Sequence, residues 1–227
     1  MRVYAGALLE RPPGPRYTTR LRFAELALRG PLPRAATLER FRRSVPESFM
    51  LSFVVPAACT TSERGYLRVH DELSDALGWL GEALDALRPR VVVLPTDKRL
   101  TPGQRGRDLL ADYLAALPKR EGRQVAWAPT GLWESEDAAH LAGQLDVLLA
   151  ADPLEVPLPP GPTAYARMKA QGIRRRLSDG VLADLVERLG AGGAPRDEVF
   201  VAIESPRSFD EASRLQGMWD ARGGVAP

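Results

Sequence analysis

Cysteine is nearly absent. The 227-residue chain has one, Cys59, so no internal disulfide can form, and no set of paired thiols points to an oxidising compartment. Histidine is almost as scarce. His70 and His140 both fall in segments of helical period, without a Cys or His companion at ligand spacing, so transition-metal chemistry lacks its usual donors. Aromatic residues make up 7% of the chain, and none interleaves with arginines as a single-stranded nucleic-acid platform requires. Charge of one sign is missing too, because 31 basic and 29 acidic side chains leave a formal net of +2. No whole-molecule field therefore selects DNA or an acidic membrane, and electrostatic recognition has to be local. No apolar run approaches the roughly 20 residues of a membrane-spanning helix. The opening Met1 to Leu9 meets Glu10-Arg11-Pro12-Pro13 too early for a secretory signal. These absences predict a soluble cytoplasmic chain that engages neither membrane nor nucleic acid and needs no cofactor or metal.

What is present is a repeated alternation. Hydrophobic residues form 44% of the chain, enough for a sizeable core. Short β-rich runs alternate with longer segments of helical period, the pattern of βα units around a parallel sheet. Eight strands are expected: Arg2 to Leu8, Arg22 to Leu28, Met50 to Val55, Arg90 to Leu94, Gln124 to Ala128, Asp146 to Leu149, Ala164 to Lys169 and Glu198 to Ile203. Between them, Tyr66, Val69, Leu73, Leu77, Leu80, Leu84 and Leu87 recur at three- and four-residue steps and predict an amphipathic helix. Thr101-Pro102 with Gln104, and Ser208 with Glu211, read as capping boxes, while Ser178 and Thr37 read as further helix starts. Gly190-Ala191-Gly192-Gly193 follows a helix and lacks the Lys-Ser/Thr ending of a phosphate loop, so it reads as a turn.

Two units are short of a helix. A proline-containing loop from Glu10 to Arg20 joins the first two strands, and Pro153 to Pro162 replaces much of the crossover after the sixth. The fold class expected is an α/β, TIM-like barrel of about eight parallel strands with some crossover helices trimmed, one domain over residues 1–227. A split at Pro153 to Pro162 would leave two strands poorly covered. A missing helix would also expose apolar sheet, which predicts a protein partner or a homodimer over the gap.

The order of several short segments carries a family resemblance. Phe23-Ala24-Glu25-Leu26-Ala27 is followed by Pro33, a short helix and Phe49-Met50-Leu51-Ser52-Phe53-Val54-Val55-Pro56. Later come Val92-Val93-Leu94-Pro95, Ala164-Tyr165-Ala166-Arg167-Met168-Lys169 and Val199-Phe200-Val201-Ala202-Ile203. This succession resembles the YecE-like family, domain of unknown function seventy-two. The resemblance implies a TIM-like barrel related in shape to sugar isomerases and endonuclease-IV-type enzymes. It also implies polar mouth residues that are missing here: the family's lysine before Pro56 is lost, its threonine-histidine pair reads Thr60-Thr61, its strand-four glutamine reads Val93, its Glu-x-Arg-His is replaced within Ala128-Pro129-Thr130-Gly131, and its strand-eight asparagine stands near Glu204.

The surviving candidates are few, and in such a barrel they matter only at the carboxyl ends of the strands. Glu25, inside an otherwise apolar strand, is the candidate acid or base, and its bland alternative is an internal ion pair with Arg167. Arg167 and Lys169 alternate onto one side of strand seven, with Arg174, Arg175 and Arg176 in the loop beyond. Loops after strands seven and eight commonly cradle phosphate, which a guanidinium fork matches, whereas a solvated basic loop is the plain alternative. Asp152 and Glu204 end strands six and eight, and Trp133 is a candidate wall of the mouth. Cys59, with no histidine in reach, reads as an inert small residue. These residues predict a barrel with a degenerate site that binds an anionic small molecule or a protein partner. The rival reading is an enzyme on phosphorylated sugar or nucleic-acid substrates with Glu25 as acid or base.

Overall fold

The computed structural model describes residues 1–172, 175–191 and 196–223. Eight parallel strands close into a barrel: β1 (Arg2–Leu9), β2 (Phe23–Leu26), β3 (Met50–Val54), β4 (Val91–Thr96), β5 (Gln124–Pro129), β6 (Leu148–Ala151), β7 (Thr163–Lys169) and β8 (Glu198–Glu204). β1 and β8 complete the ring, with Arg2 opposite Glu198 and Ala7 opposite Ile203. Around it lie α1 (Pro15–Thr18), α2 (Ala35–Ser44), α3 (Asp71–Leu87), α4 (Gln104–Ala116), α5 (Ser135–Gln144), α6 (Asp179–Ala191) and α7 (Ser208–Ala221). No helix among the described residues is long and apolar enough to cross a membrane.

Strand parity sorts the side chains into two cores. Outward residues such as Val3, Ala5, Leu51, Phe53, Val92, Leu94 and Val201 meet the helices. Inward residues fill the lumen, and there the packing is lopsided. Tyr4, Phe23, Tyr165 and Phe200 come from β1, β2, β7 and β8, while β4 to β6 supply Val91, Val93, Ala126, Ala128 and Ala150. Tyr4 stacks on Phe200 with ring centroids 5.2 Å apart, and Phe23 lies tilted against Phe200 at the same distance. Large rings from one half of the barrel thus interdigitate with small residues from the other, giving a packed core without a pore. Gly6 is part of this fit, because a Cβ there would stand 2.3 Å from the Phe23 carbonyl oxygen.

Both trimmed crossovers are present, and each has a local substitute for its helix. In the first, α1 is one turn long. Its buried Tyr17 hydroxyl accepts from the Ala7 amide at 2.7 Å and donates to the Phe23 carbonyl at 2.8 Å, bridging β1 and β2. In the second, no helix forms between β6 and β7. Leu154, Val156 and Leu158 pack against the outer core, while Arg196 holds the Leu158 and Pro159 carbonyls and Arg188 the Pro153 carbonyl. The expectation of an exposed apolar wall is therefore corrected. Leu149, Ala151, Ala164, Ala166 and Met168 are all buried, in the same core against which Leu154, Val156 and Leu158 of the proline segment pack.

Several local expectations also shift. α3 begins at Asp71, leaving Tyr66 in a small antiparallel ladder of Thr61–Ser62 with Gly65–Tyr66 and Val69 exposed. β6 starts two residues late because Asp146 adopts a positive φ of 53°. α2 starts at Ala35, ahead of Thr37. The α4 N-cap is Gly103 in place of Thr101, and the Thr101 carbonyl instead abuts Gly106, whose Cβ would lie 1.9 Å away. Ser178 does cap α6, accepting from the Val181 amide at 3.4 Å. Ser208 does not cap α7, whose N-cap is Arg207.

Candidate functional site at the carboxyl end of the barrel

The parity that fills the lumen places one acidic side chain in it. Glu25 faces Ser52 across the β2–β3 register, and its exposure is 0%. Tyr165 and Arg167, two residues apart on β7, point to the same interior. Across the barrel, the Tyr165 hydroxyl donates to Glu25 Oε2 at 2.7 Å, while Arg167 reaches Oε1 through Nε and Nη2, both at 3.0 Å. Ser52 Oγ lies 2.6 Å from the Tyr165 hydroxyl. Since Tyr165 spends its one proton on Glu25, Ser52 is the donor in that contact. The result is a relay of Ser52, Tyr165, Glu25 and Arg167.

Burial raises the Glu25 carboxyl above its ordinary value; the Arg167 charge and the Tyr165 hydrogen bond oppose this. Burial likewise pushes the Tyr165 hydroxyl well up, reinforced by the Glu25 charge. For Arg167, burial favours the neutral form, yet the charges of Glu25 and Glu204 outweigh it and leave the guanidinium firmly protonated. Arg167 therefore acts as a fixed cation. Its side chain is 23% exposed, and among the described residues the two Nη1 protons and the second Nη2 proton have no acceptor. Next along the same face of β7, Lys169 pairs with Glu204 of β8 at 3.3 Å, in the open.

Beyond these strand ends lies a cavity of about 440 Å³ between the amino ends of α6 and α7, walled by Arg176, Arg207 and Arg214 together with Asp179 and Asp210. Its floor is Glu211, a fully buried carboxylate that accepts from the Leu177 amide at 2.9 Å and from the Ser205 hydroxyl. Glu211 thus fastens the loops after β7 and β8 together, in place of the capping role its spacing to Ser208 suggests. Arg214 is paired with Asp179.

The structure brings together Glu25 and Arg167, and beside them Lys169 and Glu204. Arg176 lines the neighbouring cavity. Arg175 is exposed with a φ of 43°, and Arg174 lies outside the described residues. Asp152 stands apart in a turn, its Oδ1 accepting from the Leu154 amide at 2.9 Å and its carboxyl raised by burial. Trp133 is occupied with packing: its ring meets Trp127 edge-on at 4.8 Å, Arg107 lies over it, and its Nε1 donates to the Leu100 carbonyl. Cys59 is buried, its thiol pushed up to about 11 by burial. His70 occupies the α3 N-cap position with its Nε2 2.6 Å from the hydroxyl of Ser62 in the small ladder; His140 is exposed on α5. Among the described residues no cluster of His, Cys, Asp and Glu could hold a metal ion. Sequence reasoning missed Tyr165 and Ser52. The signal for Tyr165 was its two-residue spacing from Arg167, whereas Ser52 needed the barrel's register.

No family model and no curated protein matches the chain. Among solved structures it is similar to a DUF72 family protein from Enterococcus faecalis, at 12% identity and a TM-score of 0.73, over 96% of this chain and 95% of that one. A DUF72 family protein from Thermotoga maritima matches at 14% identity and 0.72, over 97% and 100%. Endonuclease IV from Thermus thermophilus matches at 12% and 0.52, over 96% and 98%. The barrel is thus shared with full-length DUF72 structures, the family named by the sequence resemblance, and more loosely with a nuclease barrel.

Proposed function

We propose that this chain is a binding barrel for a small anionic molecule bearing phosphate or carboxylate, seated at the carboxyl ends of β7 and β8. The observation that carries this reading is the state of Arg167. A buried carboxylate fixes its guanidinium by two contacts, and three N–H donors remain for an acceptor from the mouth side. A guanidinium held in place loses little freedom when an oxyanion arrives, and its fork matches such oxygens. Lys169 and the Arg176, Arg207 and Arg214 wall add further donors near it, their charge balanced by Glu204, Asp179, Asp210 and Glu211. Glu25 in this reading positions Arg167; with three donors already on its two oxygens, it has little capacity left to take a substrate proton.

Titration calorimetry with a panel of sugar phosphates and dicarboxylates tests the proposal. At least one is expected to bind wild type about tenfold more tightly than Arg167→Lys, which keeps the charge and loses the fork. Equal affinities, or no binding by wild type, would overturn it.

One observation favours a second reading. The raised carboxyl of Glu25 and the hydroxyl chain through Tyr165 to Ser52 are a proton path, which suits acid–base work on a phosphorylated sugar or nucleic-acid substrate. In that case Glu25→Gln abolishes turnover while leaving ligand affinity nearly unchanged; in the binding reading it changes affinity and there is no turnover to lose.

A further inference from the structure

The opposite end of the barrel gathers five arginines. Arg42 at the end of α2, Arg88 and Arg90 between α3 and β4, and Arg120 and Arg123 between α4 and β5 converge on one cavity of about 370 Å³ at the amino ends of β3 and β4. Two glutamates, Glu47 and Glu121, share its lining. Carboxylates within ion-pair distance serve only three of the five arginines among the described residues: Glu198 pairs with Arg90 at 2.9 Å, and Asp85 is shared by Arg120 and Arg123 at 2.9 and 3.3 Å. Arg42 and Arg88 have no such partner.

These arginines are held in place before any ligand arrives. Arg42 is buried, its Nη1 and Nη2 donating to the Pro46 and Glu47 carbonyls, and its Nε is enclosed without an acceptor among the described residues. Arg123, with a side chain only 5% exposed, donates Nη2 to the Leu84 carbonyl and likewise leaves Nε unmet. Arg90 braces the Gly122 carbonyl at 2.6 Å. Arg88 ends α3 with a φ of 51°, a left-handed position where glycine is the low-cost residue. Both burial and the Arg88 charge work against protonated Arg42.

We infer that this floor cavity is a second anion site, independent of the mouth, for a compact phosphate anion, with pyrophosphate as its probe. Five guanidiniums stand against four carboxylates, Glu47 and Glu121 in the lining and Glu198 and Asp85 beside it, which leaves a net positive charge, and Arg42 and Arg88, without a carboxylate at ion-pair distance among the described residues, are the cations an anion's oxygens would neutralise. The cavity is at the small end of ligand sites. No aromatic side chain lines it to stack a base, which favours a compact phosphate over a nucleic acid.

The test uses the full chain and sodium pyrophosphate at millimolar concentration, compared with chloride at equal ionic strength. The wild-type melting temperature is expected to rise by about 3–5 °C, and calorimetry to show a floor site lost in the variant Arg88→Gly with Arg120→Ala. That variant keeps the buried Arg42 and Arg123 and relieves a strained backbone, so it folds. Its shift should fall below about 1 °C, while Lys169→Ala retains the full shift. No wild-type response, or an equal response in the floor variant, overturns the site. A response lost in Lys169→Ala and kept in the floor variant assigns pyrophosphate to the mouth and overturns it too. A shift with a short oligonucleotide but none with pyrophosphate replaces the small anion by nucleic acid.

Discussion

At the carboxyl end of the barrel the cations on the strands and on α7 are paired with carboxylates: Arg167 with Glu25, Lys169 with Glu204, Arg214 with Asp179. At the amino end the arginines outnumber their carboxylates, and Arg42 leans on backbone carbonyls instead. Burial makes the first arrangement necessary. A lone charge in the lumen would carry a desolvation penalty of several kcal/mol, so Glu25 and Arg167 have to occur together. At the floor Arg42 is buried without a carboxylate partner, its charge held by two backbone carbonyls at some cost in desolvation and in repulsion from Arg88. The lumen pair thus contributes to holding the fold and leaves only the outer edge of Arg167 for binding, whereas at the floor Arg42 and Arg88 keep charge that no carboxylate at ion-pair distance neutralises.

The comparison breaks most visibly at Arg167. Arg167→Met leaves Glu25 buried and unpaired, and urea denaturation should show a loss of about 3–5 kcal/mol; adding Glu25→Gln should restore most of it. A loss below about 1 kcal/mol would mean that the pair does not anchor the lumen. Tyr165→Phe removes one donor from Glu25 and the acceptor of Ser52, and the same measurement should give about 1–3 kcal/mol.

The pH dependence sharpens the lumen side. Because the folded carboxyl of Glu25 sits above its ordinary 4.5, the native state binds more proton than the unfolded one in that window. Its contribution is therefore full below 4.5 and declines as pH rises through the folded value. Stability of wild type minus that of Glu25→Gln should fall across this window; a difference that grows with pH would show that Arg167 outweighs desolvation.

The smallest effects separate the two ends most cleanly. Arg88→Gly should stabilise the protein by about 1 kcal/mol in anion-free buffer, since it removes a left-handed non-glycine residue. Lys169→Ala, in an exposed pair, should change stability by less than about 1 kcal/mol in the other direction.

How legible was this from residues alone? The alternation located all eight strands to within about two residues, because hydrophobic periodicity is written locally. The two weak crossovers were visible as proline segments, Glu25 stood out as a charge inside an otherwise apolar strand, and Arg167 as a charge alternating with Lys169 onto one side of strand seven. What covers the short crossovers was not legible. Tyr17, Leu154, Val156 and Leu158 do this by contacts whose partners lie on strands elsewhere in the chain. Glu211 was misjudged for the same reason: its spacing to Ser208 fits a cap, yet the buried Leu177 amide and Ser205 hydroxyl compete for it and win.

By itself, then, the sequence determined the kind of element at each stretch, the count of strands, and the shortage of His, Cys and mouth polar groups. Only the tertiary structure decided who meets whom. Barrel closure sets a stagger between strands, and that stagger places Tyr165 and Arg167 on Glu25 across 140 and 142 residues of chain and draws five arginines from three connections to one floor. Parity along a strand tells which side chains point inward. The level at which they meet is a property of the closed ring.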